Sequence, residues 1–182
     1  MPNWVLNTVI LDFTNATEKG KQYLSSLLAH EAPESITRPV GRPGLFGMIL
    51  PMPENMDKTS PGDVFPDWYN WACANWGCKW DVDEFDLEQD GNKVRLHFTT
   101  ANAEPQGWIA AVEAEGVAVE AYAAEPGNDW ASAYVNGLYN DYDSIVDYRE
   151  RFDEFPVLKE VLAPIWESHD DMSGGEGEDE GA

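Results

Sequence analysis

The chain has 182 residues, 43% of them apolar and 12% aromatic, with eight tryptophans. That supplies enough apolar material for one packed domain and too much for a disordered polymer. The formal net charge of −23, from 34 acidic and 11 basic side chains, argues against a nonspecific grip on DNA, RNA or anionic lipid and favours solubility, metal or salt tolerance, or a basic protein partner.

No uninterrupted apolar run reaches the length of a membrane span, and Met1-Pro2-Asn3-Trp4 lacks the basic and apolar segments of a secretory leader. A cytoplasmic location is the default expectation. Residues 4–13, WVLNTVILDF, read as a central strand. Asn15 or Thr17 can cap a helix over 17–30, where Tyr23, Leu24, Leu27 and Leu28 recur at helical spacing. A proline- and glycine-rich loop spans 33–44, and LFGMIL at 45–50 predicts a second strand stopped by Pro51 and Pro53. Trp68, Trp71, Ala72 and Trp76 predict a helix over 66–75, an aromatic insertion ended by Gly77.

Residues 80–87 alternate weakly as a strand, and a turn at Asp90-Gly91 or Gly91-Asn92 leads into a half-exposed strand over 93–99. A helix from Pro105 to about residue 114 is broken by Gly116. A strand with Val117, Val119, Ala121 and Ala123 on one side follows, then a hairpin at 126–128 with a returning strand over 130–135. Residues 138–154 predict an irregular helical face and 157–167 a last helix. Residues 169–182 hold too little apolar material to pack and are expected as a disordered acidic tail. The order predicts one α+β domain over 1–168, a ferredoxin-like, mainly antiparallel sheet with helices on one face and extra C-terminal helical segments.

Several motifs resemble the YubB ferredoxin-like family. They are the MPNW start with Asn7, the run Asn75-Trp76-Gly77-Cys78-Lys79-Trp80-Asp81, and Phe98, Thr100, Ala101 and Pro105 followed by Trp108. The likeness covers about residues 1–136. This chain differs at Val5, where the family often has cysteine, and at Cys78, where it usually has threonine. The resemblance implies the fold and a phage, prophage or plasmid setting. It implies no reaction.

Two segments are candidate sites. The first is Trp76, Lys79, Trp80 and Asp81, either an aromatic cover for the sheet or a small-ligand or catalytic pocket. The second is Asp141, Asp143, Asp147, Glu150, Asp153 and Glu154, whose carboxylates form either a solvated acidic surface of an acid-rich or salt-adapted protein or an array that imitates the charge spacing of DNA. No catalytic residue, cofactor or metal site is assigned. Cys73 and Cys78 supply only two ligands, and the acids of 81–90 lack the offsets of a calcium loop. The leading expectation is a non-enzymatic accessory protein of a mobile element that binds a basic, nucleic-acid-binding protein as a DNA mimic. The alternatives are the aromatic pocket and a structural or assembly module.

Overall fold

A computed structural model describes residues 3–30, 43–54, 56, 67–145 and 149–173. Strand β1 (Trp4–Asp12) leads into helix α1 (Glu18–Leu28), and α2 (Asp67–Asn75) precedes the hairpin of β2 (Asp86–Asp90) and β3 (Lys93–Ala101). Helix α3 (Gln106–Glu113) connects to β4 (Ala118–Glu125), β5 (Trp130–Val135) and β6 (Leu138–Tyr142), and α4 (Pro156–Ser173) closes the described chain. The result is an α+β fold with one six-stranded sheet in the order β2-β3-β1-β4-β5-β6, every neighbouring pair antiparallel. β1 is central, as its apolar run predicts.

Local signals explain the ends of the elements. Thr17 caps α1, its hydroxyl accepting from Gly20 N at 3.2 Å. Gly91, at φ +59°, turns β2 into β3 with Asn92. Pro126–Asn128 and the left-handed Asp129 turn β4 into β5.

Period-2 alternation sends side chains to two different layers. On one face, Val9, Leu11, Val94, Leu96, Phe98, Val119 and Ala121 pack against Tyr23 and Leu27 of α1, Ala72 of α2, and Trp108, Ile109 and Val112 of α3. On the other, Tyr122, Ala124, Ala131 and Ala133 meet Leu158, Leu162 and Trp166 of α4, together with Phe152 and Ile145. Helices therefore cover both faces, not one as the sequence predicts. The alanines of β4 and β5 leave room for α4 to approach the strands closely.

Four further expectations are corrected. Residues 45–49 are turns, not a strand. The Asp81 carboxylate accepts from Gly44 N, Phe46 N and Gly47 N at 2.9, 2.8 and 3.0 Å, which curls this apolar segment. Leu45, Phe46 and Ile49 are then folded into the core. Residues 81–85 carry no strand, and pairing starts at Asp86. Residues 138–142 form β6 rather than helix, because Asn136 and Gly137, at φ +53° and +77°, make a two-residue hairpin after β5. Helix α4 runs from Pro156 to Ser173, longer than the helix expected over 157–167. Residues 174–182 of the expected acidic tail lie outside the described residues, as do residues 33–42 of the loop expected over 33–44.

Candidate functional site

The run from Asn75 to Asp81 divides its side chains between the core and the surface. Asn75 ends α2 with its amide donating to Trp71 O at 2.9 Å. Gly77, at φ +93°, and Gly107 let two backbones touch. A Cβ on Gly77 would lie 2.7 Å from Gln106 N, and one on Gly107 would lie 2.1 Å from Asn75 O. Trp108 N donates to Trp76 O across this contact at 3.1 Å. Trp76 points inward, with Nε1 donating to Leu50 O at 2.9 Å and its ring edge-on to Trp71. Asp81 also faces inward. Burial holds its carboxyl above the ordinary value, and the N–H groups of Phe46, Val82, Gly47 and Gly44 partly offset that.

Lys79 and Trp80 face outward. Lys79 Nζ lies 4.2 Å from the Trp80 ring centroid and 5.7 Å from that of Tyr69. Trp80, 41% exposed, stands beside the exposed Trp4 with ring centroids 6.4 Å apart. The four candidates of this segment thus do not converge on one pocket. Burial, with the Asp81 carboxylate adding, pushes the neighbouring Cys78 thiol up to about 12, so it stays protonated at neutral pH.

The acids of the second candidate do not share a helical face. Asp141 and Asp143 are exposed on β6 and just beyond it. Asp153 is exposed and pairs with Lys159. Glu150 and Glu154 fall in the 3-10 turn over 149–154, and Asp147 lies outside the described residues. The alternating acids of β2 have a structural use, since Asp86, Glu88 and Asp90 stand opposite His97, Arg95 and Lys93. The opposite charges of Glu88 and Arg95, and of Asp90 and Lys93, stabilise the strand pair by about 0.2–1 kcal/mol each. His97 also shares a 2.9 Å hydrogen bond between Nδ1 and Thr8 Oγ1.

The sequence did not single out the cavity where β1 and α3 begin and β4 ends. It has a volume of about 350 Å³ and is lined by Val5, Gly77, Glu104, Gln106, Glu125 and Trp130, with Asn102 and Ala103. Glu104 and Glu125 are each only 6% exposed. Glu104 accepts from Ser132 Oγ at 2.6 Å. Burial, with Asp141 adding, raises its carboxyl to about 7 against the pull of Ser132. Glu125 Oε1 is buried and has no hydrogen-bond partner among the described residues. Asn7 fixes the cavity wall: its amide donates to Val5 O at 2.9 Å and Thr100 Oγ1 at 3.0 Å, and Thr100 in turn donates to Ala103 O at 2.7 Å.

One signal for this cavity was present in the chain. Glu125 continues the inward parity of Val117, Val119, Ala121 and Ala123, so alternation places a carboxylate on the covered face of β4. Among the described residues no three His, Cys, Asp or Glu side chains form a metal-holding group. No described helix is long and apolar enough to cross a membrane. Compared with family profiles, curated proteins and solved structures, the chain matches none of them.

Proposed function

We propose that the chain is an accessory protein that binds a basic, nucleic-acid-binding protein through its acidic surface. The observation that carries this reading is the disposition of charge. Among the described residues five cations are tied to carboxylates of the same chain: Lys19 to Glu115, Lys21 to Glu18, Lys93 to Asp12, Arg95 to Glu160 and Lys159 to Asp153. The net −23 leaves carboxylates in large excess over all the cations of the chain, with Asp141 and Asp143 exposed at the β6 edge. A field of that sign steers a basic partner toward the surface and repels nucleic acid. The strand at 138–142 removes the helical carboxylate array, so the contact is an acidic sheet edge with its adjoining turn rather than a DNA-like helix.

The order β2-β3-β1-β4, with α1 and α2 between β1 and β2 and α3 between β3 and β4, supports a ferredoxin-like core to which β5 and β6 are added. With the motif likeness to the YubB family, it supports a mobile-element setting and a target among host DNA-processing or defence proteins.

Capture from a host lysate tests the reading, with the intact chain and an Asp141→Lys/Asp143→Lys variant as baits at about 0.05 M and 0.5 M salt. A basic protein held by the intact chain, released by salt, displaced by duplex DNA and lost to the variant is the expected result. Equal capture by both baits at both salts overturns the acidic edge as the contact.

A further inference from the structure

The cavity beside Gly77 is chemically unlike the rest of the acidic surface. Its carboxylates are buried, whereas Asp141, Asp143 and those of β2 are exposed. None of its lining residues is lysine, arginine or histidine. The lining instead supplies one indole, from Trp130, two small apolar side chains, from Val5 and Ala103, and the amides of Asn102 and Gln106. A buried carboxylate oxygen without a donor is costly, and such groups in folded proteins call for an explanation. Glu125 Oε1 is such an atom, held at the end of β4 opposite Trp130. The volume of about 350 Å³ is that of a small-molecule site.

We propose that this cavity binds a small organic cation, an ammonium or guanidinium group on a short apolar body. The cation donates to Glu125 Oε1 and lies against the Trp130 indole, whose face attracts positive charge. Ala103 and the edge of the Trp130 ring take up the apolar body. Glu104, raised by its burial toward neutrality, ionises on the arrival of a cation and strengthens the site. This inference is independent of the acidic-edge contact, which uses exposed carboxylates on β6.

The full chain is titrated with butylammonium and with agmatine at about 0.3 M ionic strength, which screens diffuse attraction to the surface. Butyrate serves as the anionic counterpart. Heteronuclear NMR follows the amides of Gly77, Asn102 and Gln106 and the indole of Trp130. The expected result is a saturable, single-site titration by both cations, confined to these signals and absent with butyrate. Glu125→Gln is expected to weaken it at least about tenfold while melting no lower than the parent, because Oε1 has no hydrogen-bond partner among the described residues for the substitution to break. Glu88→Gln, on exposed β2, is expected to leave binding intact. Non-saturating shifts spread over the acidic surface overturn the proposal, as does undiminished affinity in Glu125→Gln. Should that variant not fold, the saturation and localisation seen with the parent decide the matter.

Discussion

Trp76 and Trp80 are four residues apart and alike in chemistry, yet the fold uses them oppositely. Trp76 fills the core and donates to Leu50 O, whereas Trp80 stays at the surface under Lys79. Trp76→Ala is expected to lower unfolding free energy by about 3–5 kcal/mol and Trp80→Ala by less than about 1 kcal/mol, measured by urea denaturation. Equal losses would show that the exposed ring is also structural. Glu104 makes a second residue-scale prediction. Its carboxyl is raised from 4.5 to about 7 in the fold, so the folded state binds the proton more tightly than the unfolded one. Its contribution to stability is complete below the unfolded value and is lost as pH rises through about 7. Glu104→Gln keeps an acceptor for Ser132 and cannot ionise. Relative to the parent, the variant is expected to gain on the order of 2–3 kcal/mol between about pH 4 and 8. Parallel stability profiles for the two proteins would contradict the burial of this carboxyl.

Among the elements, the contact of α2 with α3 depends on glycine at both sides. Gly107 is the tighter position, since a methyl there would meet Asn75 O at 2.1 Å. Gly107→Ala is expected to cost about 3 kcal/mol and to shift the melting temperature down, with Ala110→Gly as a control for helix propensity. Unchanged stability in Gly107→Ala would mean that the two backbones do not touch. This contact also shows how far the chain could be read. Gly77 was legible as the end of α2, but its pairing with Gly107 was not, because nothing local announces a backbone contact thirty residues away. The same limit explains residues 45–49: an apolar run looks like a strand until Asp81, distant in sequence, takes up its N–H groups. Asn136-Gly137 was different. It is a strong local hairpin signal, passed over because the acidic, tyrosine-rich stretch after it suggested a helix. The cavity was hardest to see, since two glutamates among 34 acids carry no mark of burial, and only the parity of Glu125 along β4 pointed inward.

Across the whole molecule, charge and packing are separated. Helices α1, α2 and α3 on one face and α4 on the other bury the apolar side chains of the sheet. The outer strands β2 and β6 carry exposed carboxylates that discourage edge-to-edge pairing with a second copy. In the proposed reading the acidic surface attracts a partner of opposite charge, while the buried pair Glu104 and Glu125 belongs to the separate, proposed cation site. The most direct measurement is the dependence of log Kd on log salt for the captured basic partner, with the intact chain and with Asp141→Lys/Asp143→Lys. Binding through the β6 edge predicts a loss of about tenfold or more in affinity between about 0.05 M and 0.3 M salt, with weaker binding and a shallower slope for the variant. A salt-independent affinity shared by both proteins would contradict it.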